Sequence, residues 1–252
     1  MAAAQGKRAS LFVTCLVDQL FPSVGVSTVR LLRDLGVEVD FPSSQTCCGQ
    51  PLYNAGFARR ARHLATRVLD AFQPEESSDP NHYVVAPSGS CTSMIRVFYG
   101  RLFQDQPALH RRALALADRV YELSQFLVDI LQVSDVGSPF RGKVAYHPSC
   151  HLLRELGVVE QPQSLIDGVK GARRAEMERS ETCCGFGGTF SVKYPHISGA
   201  MLDDKVDDVV KSGADALVAC DISCLMHIGG GLSRRGESVR PMHLAQLLRP
   251  ED

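Results

Sequence analysis

Two copies of an uncommon unit, a cysteine pair followed by glycine, dictate how this chain must be organised. One is Thr46-Cys47-Cys48-Gly49-Gln50-Pro51; the other is Thr182-Cys183-Cys184-Gly185-Phe186-Gly187-Gly188, 136 positions later. Single cysteines keep station around both. Cys15 precedes Cys47 by 32 positions and Cys150 precedes Cys183 by 33. Cys91 follows Cys48 by 43 and Cys224 follows Cys184 by 40. Four cysteines in the same order at nearly the same spacing, twice over, mark a duplicated fold. The repeat divides the chain near residue 138, into a first domain, 1–137, and a second, 138–252.

The stretches between the cysteines alternate in period. Ser10 to Val17 reads as a buried strand with Cys15 near its carboxyl end. Val24 to Leu35 has helical spacing, Val37 to Phe41 alternates as a strand, and Ala55 to Phe72 is an amphipathic helix. A polar segment from Pro74 to Asn81 leads to a strand, His82 to Ala86, which delivers Cys91. A long helical region, Pro107 to Val133, and a linker, Asp135 to Pro139, follow. The second half begins again with a short strand, Lys143 to Tyr146, ending at Cys150. It continues with a helix, Ile197 to Lys211, and a strand, Ala216 to Ala219, ending at Cys220 and Cys224. Strand alternating with helix predicts the α/β class. The expected architecture is two tandem three-layer domains with parallel sheets, related by a pseudo-twofold duplication.

In such sheets, loops at the carboxyl ends of the strands converge on one crevice. Four thiolates meeting there repel one another unless a cation neutralises them, so a metal centre is expected. Structural zinc sites usually use short Cys-x-x-Cys knuckles. Adjacent cysteines suit a multi-iron cluster better, because neighbouring side chains can bind different atoms. The glycines after each pair permit close approach of backbone N–H groups to the sulfurs, or serve simply as a flexible turn.

Composition agrees with a redox or metal-binding role. A net charge of −1 gives no reason to expect nucleic acid or an anionic membrane as partner. No apolar run reaches the roughly 18 residues of a spanning helix. The opening Met1-Ala2-Ala3-Ala4-Gln5-Gly6-Lys7-Arg8 lacks the order of a secretory signal. A cytoplasmic protein is expected, and nine cysteines there point to metal or redox chemistry, not disulfides.

The two Cys-Cys-Gly units, each with an upstream cysteine and a downstream Cys91-x-x-Met94 or Cys224-x-x-His227, resemble the cysteine-rich, or CCG, domain family of iron–sulfur oxidoreductase subunits. That family includes the cysteine-rich component of heterodisulfide reductase and the iron–sulfur component of glycolate oxidase. Cys-Cys-Gly-Gln-Pro first, Cys-Cys-Gly-Phe-Gly-Gly second and Ser223-Cys-Leu-Met-His-Ile-Gly-Gly230 are most similar to its lactate-utilization branch. The resemblance covers nearly the whole chain. It implies an electron-transfer subunit, with one or two iron–sulfur clusters of the 4Fe-4S class, working with other iron–sulfur subunits in the oxidation of L-lactate to pyruvate. It implies ligands at Cys15, Cys47, Cys48 and Cys91 in one site and at Cys150, Cys183, Cys184 and Cys224 in the other. The fullest family pattern ends in Cys-x-x-Cys. Here Met94 and His227 stand in the last place, so each half has four core cysteines where the non-cubane clusters of heterodisulfide reductase use five.

Cys220 is the ninth cysteine; the first half has Pro87 in its place. It is either an extra ligand or a small buried residue. His147, His151 and His227 crowd the second site, as ligands, proton carriers or hydrogen-bonding residues, and His227 is a candidate metal ligand. The first half has no histidine close in sequence to Cys15, Cys47 or Cys91, so the second site is the better candidate if only one is active. No dinucleotide or phosphate-binding glycine motif and no compact ferredoxin run is present. Hydride chemistry would therefore fall to partner subunits. Two rival readings stand beside the redox subunit. One is a scaffold with zinc-bound or metal-free cysteines. The other is a thiol–disulfide enzyme using Cys183 and Cys184, in the manner of heterodisulfide reductase.

Overall fold

The computed structural model describes residues 6–72 and 79–250. The first five residues of the opening stretch, and residues 74–78 of the polar segment read above, lie outside the described residues. The chain forms two compact units, Met1–Gln132 and Val133–Asp252.

The first unit holds strands β1 (Arg8–Leu11), β2 (Glu38–Asp40), β3 (His82–Ala86) and β4 (Val120–Glu122). All neighbours are parallel and the order is β2-β1-β3-β4. The second unit holds β5 (Pro139–His147), β6 (Lys170–Ala175), β7 (Ala216–Ala219) and β8 (Arg240–His243), parallel and in the order β6-β5-β7-β8. This is the expected α/β class with parallel sheets, and the order is the same twice. The central strands are apolar at their cores: β7, Ala-Leu-Val-Ala, is buried at every position, as a strand covered on both faces must be.

The topology places the crevice. From β1 the chain steps to β2 on one side, then returns to place β3 on the other. The strand order therefore reverses between β1 and β3, and likewise between β5 and β7. Ligands of open α/β sheets gather outside the carboxyl ends at such a point. The helix Ala58–Phe72 in the β2–β3 crossover buries Ala61, Ala65, Val68, Leu69 and Phe72, most of the apolar face its spacing predicts, while Leu64 is half-buried and Phe57 lies exposed before the helix.

Several boundaries differ from the sequence expectation. β1 stops at Leu11, and Cys15 opens a helix, Cys15–Leu20, instead of closing a strand. The apolar run continues because strand end, turn and helix start are all covered, and periodicity does not separate them. The helical region after Pro107 is broken: the helix Pro107–Ala117 gives way to β4 before helix resumes at Leu123. β5 begins at Pro139, taking the end of the expected linker into the sheet.

Candidate metal centres

Each cysteine set is delivered to the end of its sheet by the same local structure. Cys15 and Cys150 are the first residues of the helices Cys15–Leu20 and Cys150–Arg154, just after β1 and β5. Cys91 and Cys224 lie in the first turns of the helices Gly89–Ser93 and Ile222–Arg234, just after β3 and β7. Ser88 caps one, its Oγ accepting from Cys91 N at 3.2 Å. Asp221 caps the other, Oδ1 accepting from Ser223 N at 3.1 Å. The unpaired N–H groups of a first helical turn favour negative charge on a thiol placed there.

In the first unit, Cys15 Sγ lies 3.7 Å from Cys47 Sγ, and Cys48 Sγ lies 3.4 Å from Cys91 Sγ. Cys48 and Cys91 are buried at the floor; Cys47 is half-buried and Cys15 exposed at the mouth. Gly49 N donates to Cys47 Sγ at 3.4 Å. The floor is apolar, with Phe12, Met94 and Tyr99 packed around the two thiols. Tyr99 reaches back to donate its hydroxyl to Cys48 O at 2.9 Å.

Two features that hold this site have no motif in the sequence. Thr14, at φ 68°, lies in the left-handed half of backbone space, costly for a β-branched residue, and turns the chain into Cys15. Gln45 braces that turn against the cysteine-pair loop. Its Oε1 accepts from Val13 N at 2.9 Å, and its Nε2 donates to Leu11 O and Pro42 O, each at 3.1 Å.

In the second unit, Cys150 hydrogen-bonds Cys183, while Cys184 bonds both Cys183 and Cys224. Cys184 and Cys224 are buried and Cys150 and Cys183 half-buried, repeating the floor and mouth of the first site. Gly185 N donates to Cys183 Sγ at 3.4 Å. The floor here is polar. Ligand atoms of His147, Cys184 and Cys224, all buried, lie within 4.8 Å of one another. Behind them Lys205, 0% exposed, donates to Arg179 O at 2.7 Å and Ser180 O at 3.1 Å, with Asp208 Oδ2 3.8 Å away.

The electrostatics follow from thiols crowding thiols. The Cys15 and Cys48 thiols donate to Cys47, which with the Gly49 N–H pulls Cys47 down to about 3 against the cost of burial. Cys15 and Cys48 are pushed well up, as their own protons are held between sulfurs. In the second unit Cys150 and Cys184 hold Cys183 down to about 2, and Cys184 followed by His147 holds Cys224 down to about 6, against burial. Cys150 and Cys184 are correspondingly pushed up. Thiols this close cannot all ionise without a cation among them. Four convergent sulfurs, all free cysteines, are the donor set a metal–sulfur centre uses. The second site adds a buried imidazole, His147, beside the floor thiols Cys184 and Cys224. Both sites fit such a centre.

The remaining candidates lie farther out. Cys220 is fully buried just after β7, its sulfur 3.9 Å from Tyr146 Oη. His151 Nδ1 lies 3.6 Å from Cys150 Sγ. His227 Nε2 meets Ser198 Oγ at 3.3 Å, and Ser198 Oγ donates to Gly185 O at 2.8 Å. Its ring packs on Phe186, with centroids 5.8 Å apart. Burial, followed by Arg234, lowers its pKa. His227 thereby steadies the loop that carries Cys183 and Cys184.

Comparison with known proteins agrees with this geometry. The cysteine-rich domain model, CCG, matches twice, at residues 9–96 and 144–229. Lactate utilization protein A of Exiguobacterium sp. is 48% identical, covering 95% of this chain and 96% of that protein. Lactate utilization protein A of Bacillus subtilis is also 48% identical, over 96% and 98% of the two chains. That of Halalkalibacterium halodurans is 46% identical, over 97% and 98%. Among solved structures, a hypothetical protein from Helicobacter pylori shares the fold, with a TM-score of 0.59 at 13% identity, over 96% of this chain and 48% of that one.

Proposed function

Since the chain belongs to the lactate utilization protein A family of cysteine-rich CCG-domain proteins, we propose that it is an iron–sulfur electron-transfer subunit serving the oxidation of L-lactate to pyruvate. The observation that carries the reading is the pair of thiol quartets at the carboxyl ends of the central strands, within a chain 45–48% identical to its relatives over nearly their whole length. Oxidising lactate to pyruvate releases two electrons and two protons. A bound iron–sulfur cluster supplies one-electron uptake and release.

The chain's own residues do the rest. Cys15, Cys47, Cys48 and Cys91 would hold one cluster, and Cys150, Cys183, Cys184 and Cys224 another. Gly49 and Gly185 direct N–H groups at a mouth sulfur and steady negative charge there. The buried floor cysteines keep water from one side. The mouth cysteines leave the other side open to partner proteins, which we take to be further iron–sulfur subunits of a lactate-oxidising complex. No helix among the described residues is long and apolar enough to cross a membrane.

The test is iron and acid-labile sulfide per chain, with the visible spectrum, on protein purified without oxygen. Wild type is expected to hold iron and sulfide in matching amounts. Cys48→Ser and Cys184→Ser are each expected to lose about half of both, because each removes a floor thiolate from one site only. Zinc in place of iron, or well-folded protein without metal, would overturn the proposal in favour of a scaffold role.

A further inference from the structure

The two sites have the same thiols but not the same floor, and one residue makes most of the difference. After β1 the first unit places Phe12 at the floor, fully buried among Cys48, Cys91 and Met94, with its ring edge-on to Phe72 at 5.4 Å. At the matching place, three residues before the helix-opening cysteine, the second unit has His147 at the end of β5. It is 1% exposed and shares a 4.8 Å cluster with the sulfurs of Cys184 and Cys224.

The ring's hydrogen bonding fixes which nitrogen is available. Nδ1 lies 3.4 Å from Ser180 O, and a carbonyl can only accept, so Nδ1 carries the proton. Lys205 Nζ donates to the same carbonyl at 3.1 Å, filling its other lone pair and holding it in place. His147 also hydrogen-bonds Cys224, so with Nδ1 on Ser180 O it is Nε2 that faces the sulfurs of Cys184 and Cys224. Metal-bound histidines commonly have this arrangement, with one nitrogen on the metal and the other N–H tied to a backbone carbonyl.

We infer that His147 Nε2 is a fifth protein ligand to the metal centre of the second unit, bound beside Cys184 and Cys224, and that the first unit's centre has no such ligand. The inference rests on the iron–sulfur reading above and adds to it an all-cysteine site and a mixed cysteine–histidine site in one chain. A neutral imidazole donates less charge than a thiolate, and histidine ligation raises a cluster's reduction potential. The second centre is therefore the easier of the two to reduce.

The test uses the full chain purified without oxygen, with 15N-labelled histidine beside unlabelled protein. In the reduced protein, pulsed electron paramagnetic resonance should show a strongly coupled histidine nitrogen. That coupling should vanish in Cys184→Ser and survive in Cys48→Ser. His147→Cys should keep wild-type iron and sulfide, lose the nitrogen coupling and lower the potential of the second centre. His147→Phe, which copies the first site, should lose iron from the second site. If the reduced protein is silent, the 57Fe Mössbauer spectrum supplies the same readout through a nitrogen-ligated iron present in wild type and absent in His147→Cys. Full iron and sulfide with no histidine nitrogen, or a coupling that persists in His147→Cys, would overturn the inference and leave the iron–sulfur reading intact. A wild-type chain without iron would overturn both.

Discussion

Gly49 and Gly185 occupy equivalent places, yet the two positions are not equally tight. Both have positive φ, 85° and 86°, which a side chain adopts at a cost of about 1–2 kcal/mol. A Cβ at Gly49 would meet Ala61 O at 3.2 Å, a contact that small shifts can absorb. A Cβ at Gly185 would meet Ser198 O at 2.7 Å and Met201 Cβ at 2.9 Å, so backbone must move. Gly185→Ala should therefore shift the urea unfolding midpoint further down than Gly49→Ala, and it should also lower the iron content of the second site. Equal midpoint shifts would mean the loop relaxes away from Ser198. The need for glycine was legible in the sequence as a turn after each cysteine pair. The helix backbone packed against that turn was not, because it comes from residues a dozen positions on. The same limit hid Lys205. A lysine in the middle of a helical pattern reads as a solvated residue, and only the fold reveals that it is enclosed behind the second site.

At the scale of elements, the strands that sequence pattern located were mostly the inner ones, and those it missed were at edges. His82–Ala86 and Ala216–Ala219 are short apolar runs and fall where they were expected. β4 has three residues inside a helical run, β6 is Lys-Gly-Ala-Arg-Arg-Ala, and β8 carries a proline. Edge strands need bury little and tolerate proline, so the apolar signal is absent where the sheet ends. Gln45 shows how a loop position can matter as much as a ligand. It ties the end of β1 to the cysteine-pair loop through three hydrogen bonds. Gln45→Ala should cost roughly 1–3 kcal/mol, the range for unsatisfying buried polar groups, and should lower iron in the first site without removing a ligand. Gln45→Glu, which keeps the acceptor for Val13 N but not the donors, should fall between. Iron and sulfide analysis of the two variants in a Cys184→Ser background, where only the first site is filled, measures this. Wild-type occupancy in Gln45→Ala would show that the thiols position themselves.

At the scale of the whole molecule, duplication has kept the sheet order and the cysteines and changed what lies beneath them. The buried face of the helix Ala58–Phe72 is entirely apolar. The corresponding helix of the second unit, Pro195–Lys211, buries Lys205 and Asp208. Burial pulls the Lys205 pKa down, while Asp208 and the sulfurs of Cys184 and Cys183 pull against it. A fixed positive charge favours whichever state of a neighbouring centre is more negative, and reduction adds negative charge. Lys205 and His147 thus act in the same direction, and among the described residues the floor beneath Cys48 and Cys91 is apolar instead. A reductive titration of the anaerobic protein should resolve two steps. The higher-potential step should disappear in Cys184→Ser and persist in Cys48→Ser. Lys205→Met should move that step to lower potential and leave the other in place. Asp208 would lose its charged partner in that variant and keep only the Arg179 N–H, so Lys205→Met with Asp208→Asn separates lost charge from lost packing: the shift should persist in the double variant while stability recovers. A single step, or a Lys205→Met titration that overlays wild type, would mean that the two floors differ in packing without differing in electrochemistry.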